Sequence, residues 1–161
     1  MTKINTGRVI QGGLLAGLVI NIVCFINMAV IVGPKLTAAQ QAGKFLLTPR
    51  FPFYPAWLIA MFLLGLELVW LYAAVRPRFG PGPRTALTIG IVVGVVSALP
   101  DNLANAAWGL SGRYLPFMFV VERIVACALG TLVGAWWYRE KDEQVTVPRP
   151  ESPRERATVE V

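Results

Sequence analysis

The chain has no histidine and only two cysteines, Cys24 and Cys127, in 161 residues. A disulfide framework needs more cysteines, and a histidine-ligated zinc or haem site has no ligands to draw on. Acids are nearly as scarce in the body of the chain: of nine Asp and Glu, six lie beyond Arg139, leaving Glu67, Asp101 and Glu122. There is no Cys-x-x-Cys pair, Gly-x-Ser-x-Gly elbow or Walker-type loop, so no nucleophile is set beside a base. No enzyme activity, metal or cofactor is expected. Charged residues make up only 15% of the chain against 55% hydrophobic ones, with a mean hydropathy of +0.58, too apolar for a soluble domain of this length. The net charge of +6 comes from basic residues placed singly beside apolar segments, which read as topology determinants and not as a nucleic-acid surface.

What is present is four long apolar segments, over about residues 9–32, 55–75, 85–110 and 114–138. Each reaches the ~20 residues a helix needs to cross a bilayer. The first is too long for the hydrophobic region of a secretory signal, so it is expected to be retained. The reading is an all-α membrane protein, a bundle of four transmembrane helices over residues 1–138. Residues 139–161, dominated by Arg, Glu, Lys, Asp, Pro and Ser, read as a disordered cytoplasmic tail. Residues 36–47, bracketed by prolines, suit a short interfacial helix. Residues 76–84 read as a tight connector whose prolines stop helices and whose arginines stay in water. Pro100 predicts a kink just before Asp101.

Small and polar residues gather on single faces. Gly13, Gly17, Asn21, Cys24 and Asn27 share one face of the first helix, and Gly90, Gly94, Ser97, Asp101, Asn105 and Trp108 form a stripe on the third. Arg123, Cys127, Gly130 and Gly134 share a face of the fourth. The pairs Gly13/Gly17, Gly90/Gly94 and Gly130/Gly134 are expected to serve packing within the chain, with a dimer face as the alternative. Trp70, Tyr72, Trp136, Trp137 and Tyr138 read as an aromatic belt. Cys24 and Cys127 read as small apolar fillers.

The costliest residues to place are Glu122 and Arg123, side by side in an apolar run, because a charge near the bilayer centre costs ~2.5–3.5 kcal/mol even on the lenient insertion scale. Glu67, Asp101, Glu122 and Arg123 form a candidate intramembrane charged cluster, although one structural ion pair accounts equally well for two of the four. Asn21, Asn27, Asn102 and Asn105 are candidates for a polar pocket, or for hydrogen bonds between helices. Counting from a turn near Ser111 and Gly112, Asp101 and Arg123 come out nearly level on neighbouring helices and are expected to pair. With the N-terminus inside, Lys3, Arg8, Arg76, Arg78, Arg84, Arg139 and Lys141 lie on the cytoplasmic side, against Lys35, Lys44, Arg50 and Arg113 outside. This bias favours N-in and C-in.

Three stretches carry a resemblance: residues 12–21 (GGLLAGLVIN), residues 70–83 (WLYAAVRPRFGPGP) and residues 134–139 (GAWWYR). Together they resemble a group of small uncharacterised bacterial four-helix integral membrane proteins. The resemblance covers the chain up to the tail and implies four helices and the bacterial inner (plasma) membrane. It implies no activity, because none is assigned to that group. Two functional readings therefore stand. The first is a structural or accessory membrane protein, set in the lipid bilayer with a membrane-protein partner or as a homo-oligomer. The alternative is a small transporter or proton-linked permeation unit that uses the charged cluster.

Overall fold

The computed structural model describes residues 4–138. Helix α1 (Thr6–Ile26) continues into a π-helical turn (Asn27–Ile31), followed by α2 (Gly33–Gln41), α3 (Phe53–Phe79), α4 (Pro83–Trp108) and α5 (Tyr114–Trp137). No strand occurs among the described residues. The tail expected over residues 139–161 lies outside them, as do Lys3, Arg139 and Lys141 of the topology count. α1 with its π turn, α3, α4 and α5 are each long and apolar enough to span a membrane. The protein is an all-α, multi-pass membrane bundle of four spanning helices. Leu14, Leu18 and Ile22, one turn apart on α1, are half exposed. On a spanning bundle such a stripe faces lipid chains, which accept apolar side chains but offer no hydrogen bond to a backbone group outside a helix.

Small residues decide which helices meet. A Cβ on Gly65 of α3 would lie 2.7 Å from the Gly17 Cα of α1, so backbone touches backbone there. A Cβ on Gly90 would lie 2.6 Å from the Ala128 Cα, and one on Gly94 2.7 Å from the Ile124 Cα, which seats α4 on α5. Gly12 and Gly134, with Gly130 against Ala16, do the same for α1 and α5. All three Gly-x-x-x-Gly pairs thus face neighbours within the chain, where close approach lets dispersion forces act without bulky side chains in the way. The helices pack in the spatial order α3, α1, α5, α4. α3 and α4 are consecutive in sequence yet touch only lightly, leaving a cleft between them with α5 behind it.

The connector between α3 and α4 is shorter than its prolines suggest. α3 runs on through Pro77 to Phe79, and only Gly80, Pro81 and Gly82 separate it from α4. In the last turn Pro77 forfeits a single hydrogen bond, and the turn is still closed by the Gly80 N–H donating to the Arg76 carbonyl at 2.9 Å. Gly80 then takes φ +80°, a left-handed conformation that favours glycine, and the helix ends. Pro83 opens α4 at its first turn, where a missing N–H costs nothing. Arg76 does not stay in water: it is buried, with its guanidinium 5.9 Å from the centroid of the Tyr138 ring. Tyr138 also packs edge-on against Tyr72 at 6.2 Å, and the Tyr72 hydroxyl accepts from the Gly82 N–H. Both tyrosines are therefore internal pins at this end of the bundle, whereas Trp70, Trp136 and Trp137 remain on the surface.

At the opposite end the π turn carries α1 directly into α2, with the Val32 N–H donating to the Asn27 carbonyl at 2.9 Å. α2 is earlier and shorter than the segment expected over residues 36–47 because Pro34 starts it, a position proline favours. Lys35 of α2 rests 5.7 Å from the centroid of Tyr114, tying this short helix to the start of α5.

Candidate functional site

The glycine contacts set the register of the helices, and the register sets the site. Gly12 lies against Gly134 and Ala16 against Gly130, antiparallel steps of four residues. Two further steps along the same faces bring Cys24 opposite Glu122. The Cys24 thiol donates to Glu122 Oε1 at 2.8 Å, and both residues are buried. Cys24 is therefore the hydrogen-bond donor to a buried carboxylate and not an inert filler.

Glu122 and Arg123 diverge by one residue's rotation, ~100° on a helix. Glu122 turns to α1, and Arg123 turns to α3, where Nη1 donates to the Met61 thioether at 2.9 Å. The expected Asp101–Arg123 ion pair does not form: no charged nitrogen and oxygen of the two come within 4.0 Å. The reason is again register. Gly94 lies level with Ile124, so Asp101, seven residues further along α4, lies level with Phe117 on antiparallel α5. That is six residues, ~9 Å, from the level of Arg123. Assuming symmetry about Gly112 placed them opposite one another, whereas the helix ends at Trp108 and Tyr114 and the glycine contacts shift the true register.

Asp101, Glu122 and Arg123 nevertheless share a space. They line a cavity of about 440 Å³ at the α2 end of the α3–α4 cleft. α1 and its π turn contribute Cys24 and Met28, α3 contributes Trp57 and Met61, and α5 adds Phe119. α4 supplies Ser97, Ala98 and Asn102 beside Asp101. The π turn widens the last turn of α1 and so sets where Met28 stands in the wall. Of the fourth charge, Glu67, the structure makes something else. It is exposed on α3, outside the cavity wall. Val69, two residues on, lies against Gly12 and Gly134, which puts Glu67 about ten residues, ~15 Å, from the level of Glu122.

The four asparagines divide. Asn102 lines the cavity, and its Nδ2 donates to the Ala98 carbonyl at 2.9 Å. Asn21 donates likewise to Gly17, one turn back on its own helix. Neither side chain donates across helices; each bonds a carbonyl one turn back on its own helix. Asn21 and Asn27 flank Cys24 on the buried face of α1, where Asn21 Oδ1 and Asn27 Nδ2 are enclosed without a hydrogen-bond partner. Asn105 belongs to the α4–α5 turn, accepting from the Ser111 hydroxyl at 3.2 Å. Of the wall residues, Trp57, Met61, Phe119 and Met28 could not be found from sequence, because each also fits a lipid-facing or core position. Ser97 could, since it lies on the α4 stripe one turn before Asp101. Among the described residues no three of His, Cys, Asp and Glu gather as metal ligands.

Chemically, the cavity offers one guanidinium, two carboxylates, a hydroxyl, a thiol and an amide, walled by two aromatic rings and two thioethers. Its volume falls within the range of small-molecule sites. Comparison with protein-family models, curated proteins and solved structures finds no match for this chain.

Proposed function

We propose that the chain is a multi-pass protein of the bacterial inner membrane, N-in and C-in, which handles a small polar solute through the cavity between α3 and α4. The observation that carries this reading is that Asp101, Glu122 and Arg123 line one cavity while no two of them close an ion pair within 4.0 Å. Glu122 is buried and Arg123 half-buried, whereas Asp101 is exposed. A buried charge kept only to specify a fold loses more by desolvation than it gains unless it is paired with good geometry. Charges held apart on the wall of an intramembrane cavity suit a solute or ion site. This reading is preferred over a structural or accessory role with a membrane partner or as a homo-oligomer, and no catalytic role is assigned.

The test is thiol accessibility in intact cells, in a Cys24→Ser, Cys127→Ala background that retains a donor to Glu122. A cysteine at Ser97 is expected to react with a membrane-impermeant thiol reagent from the outside, as is one at Gln40 in α2, whereas one at Gly82 is protected until the cells are opened. A Gly82 cysteine that reacts in intact cells inverts the topology. A Ser97 cysteine that reacts from neither side leaves the cavity closed to water and returns the charges to a structural role.

A further inference from the structure

Resting on that reading, we propose that the cavity recognises a compact zwitterion, an ammonium and an oxyanion a few bonds apart as in a phosphoethanolamine group, with Arg123 holding the oxyanion and Asp101 the ammonium. Arg123 presents five N–H donors in a fixed fork, of which the structure commits one nitrogen to the Met61 thioether. A thioether is a weak acceptor, so the guanidinium keeps most of its capacity for a bidentate oxyanion. Asp101 lies on the wall of the same cavity and makes no ion pair with Arg123. Glu122 is committed through Oε1 to Cys24 and adds a second negative charge close to Arg123.

With two carboxylates to one guanidinium the wall is net negative, so the ammonium is the dominant attraction and Arg123 adds the preference for an oxyanion attached to it. A simple anion gains from Arg123 but is repelled by Asp101 and Glu122, and a simple cation meets the converse. A zwitterion satisfies both signs at once, and a mixed site of this kind discriminates by repelling each half-ligand. The gap is of the right order. The two charges are more than 4.0 Å apart, on levels separated by ~9 Å along the bundle. An ammonium and an oxyanion joined through two carbons bridge such a gap with a charge-assisted hydrogen bond of ~2.8 Å at each end. Trp57 and Phe119 add aromatic faces to the wall, which favour an ammonium group.

The zwitterion could arrive free in solution or as a lipid headgroup, and the cleft bears on the second source. Nearer the α3–α4 connector the same cleft holds an apolar groove of about 350 Å³ lined by Leu71, Val75, Phe79, Val92 and Val93 among others. A headgroup site with an apolar groove further along the same seam suits an amphiphile.

The experiment uses the full chain purified in detergent and titrated by calorimetry with glycerophosphoethanolamine, glycerol 3-phosphate and ethanolamine. The zwitterion is expected to bind about tenfold or more tightly than either half, roughly one charge-assisted hydrogen bond's difference. Asp101→Asn should erase its advantage over glycerol 3-phosphate. Arg123→Gln should erase its advantage over ethanolamine, and Arg123→Lys, which keeps the charge and serves should the glutamine variant not fold, should retain part of it. In a second arm, native mass spectrometry of the chain from nanodiscs with equal phosphatidylethanolamine and phosphatidylglycerol reports the lipid retained. Preference for the ethanolamine lipid that Asp101→Asn removes, with tighter binding of the soluble zwitterion or with no binding of any soluble probe, supports the proposal and assigns the source to the headgroup. Binding of the soluble probe alone supports it with a free solute. Equal binding of glycerol 3-phosphate and the zwitterion, unchanged by Asp101→Asn, overturns it in favour of an anion site. No preference in either arm also overturns it. If the Ser97 cysteine is still labelled in that case, the solute-handling role survives without this ligand; if it is not, both fall.

Discussion

Gly65→Leu is expected to abolish recovery of folded, monodisperse protein, and Gly65→Ala alone to lower stability by ~1–3 kcal/mol, the usual cost of overpacking a tight contact. A Cβ at this position would approach the Gly17 Cα to 2.7 Å and the Gly13 carbonyl oxygen to 2.5 Å. Both are backbone atoms of α1, so no side chain can rotate aside. The only relief is to move α1 away from α3, and α1 is also the helix on which α5 rests. That displacement reaches the site as well, because the antiparallel steps from Gly12 and Gly134 bring Cys24 to Glu122. Gly7→Ala is the control. A Cβ there meets nothing nearer than Asn5 Oδ1 at 3.7 Å, an ordinary contact, so the melting of that variant in detergent should match the parent or exceed it slightly. Should Gly65→Ala melt with the parent, α1 and α3 do not pack through these glycines.

How far this could be read from residues alone differs by level. Spanning helices are written in the length and hydropathy of the apolar runs, since the bilayer fixes both, and the four runs correspond to α1, α3, α4 and α5. Which face turns inward is legible on α1, because glycine and asparagine stand out against leucine and valine, and Asn21, Cys24 and Asn27 are all buried as their spacing requires. On α4 it is legible only in part, since Gly90 and Gly94 of the expected stripe are buried while Ser97, Asp101 and Trp108 are exposed. Helix ends are less so. Pro77 stops a helix in isolation, yet here tertiary contacts hold the last turn of α3: Arg76 over Tyr138, and Tyr72 against the connector. Least legible is the relative height of residues on different helices. A loop count locates a partner only to within a turn or two, and an error of six residues separates an ion pair from two charges on opposite parts of a cavity. Cys24 was hidden for a related reason: a thiol is unremarkable until the register sets a carboxylate against it.

Cys24 and Glu122 are expected to be energetically coupled by ~1–2 kcal/mol, whereas Asp101 and Arg123 add to within ~0.5 kcal/mol. The measurement is a pair of double-mutant cycles on unfolding in mixed micelles, one with Cys24→Ala and Glu122→Gln, the other with Asp101→Asn and Arg123→Gln. The thiol lies 2.8 Å from a carboxylate oxygen, and both groups are shielded from water. Interhelical hydrogen bonds in membrane bundles average ~0.6 kcal/mol because the unfolded chain in lipid finds other partners, and the largest measured reach ~1.7. Charge on the acceptor pushes this one towards the upper end, while the weak donor character of S–H restrains it. Cys24→Ala removes the donor and leaves Glu122 with an unmet acceptor, so the single change should cost more than the small volume it deletes. Cys24→Ser should recover most of the loss, because a hydroxyl donates from nearly the same place. Asp101 and Arg123, more than 4.0 Å apart and facing a shared space, have little to lose together. The contrast between the two cycles separates the register described here from the symmetric one. Strong coupling of Asp101 to Arg123 would mean that α4 and α5 are offset from the Gly94–Ile124 contact, and the zwitterion site would close into a structural ion pair; no coupling of Cys24 to Glu122 would mean that α1 and α5 are offset from the Gly12–Gly134 contact.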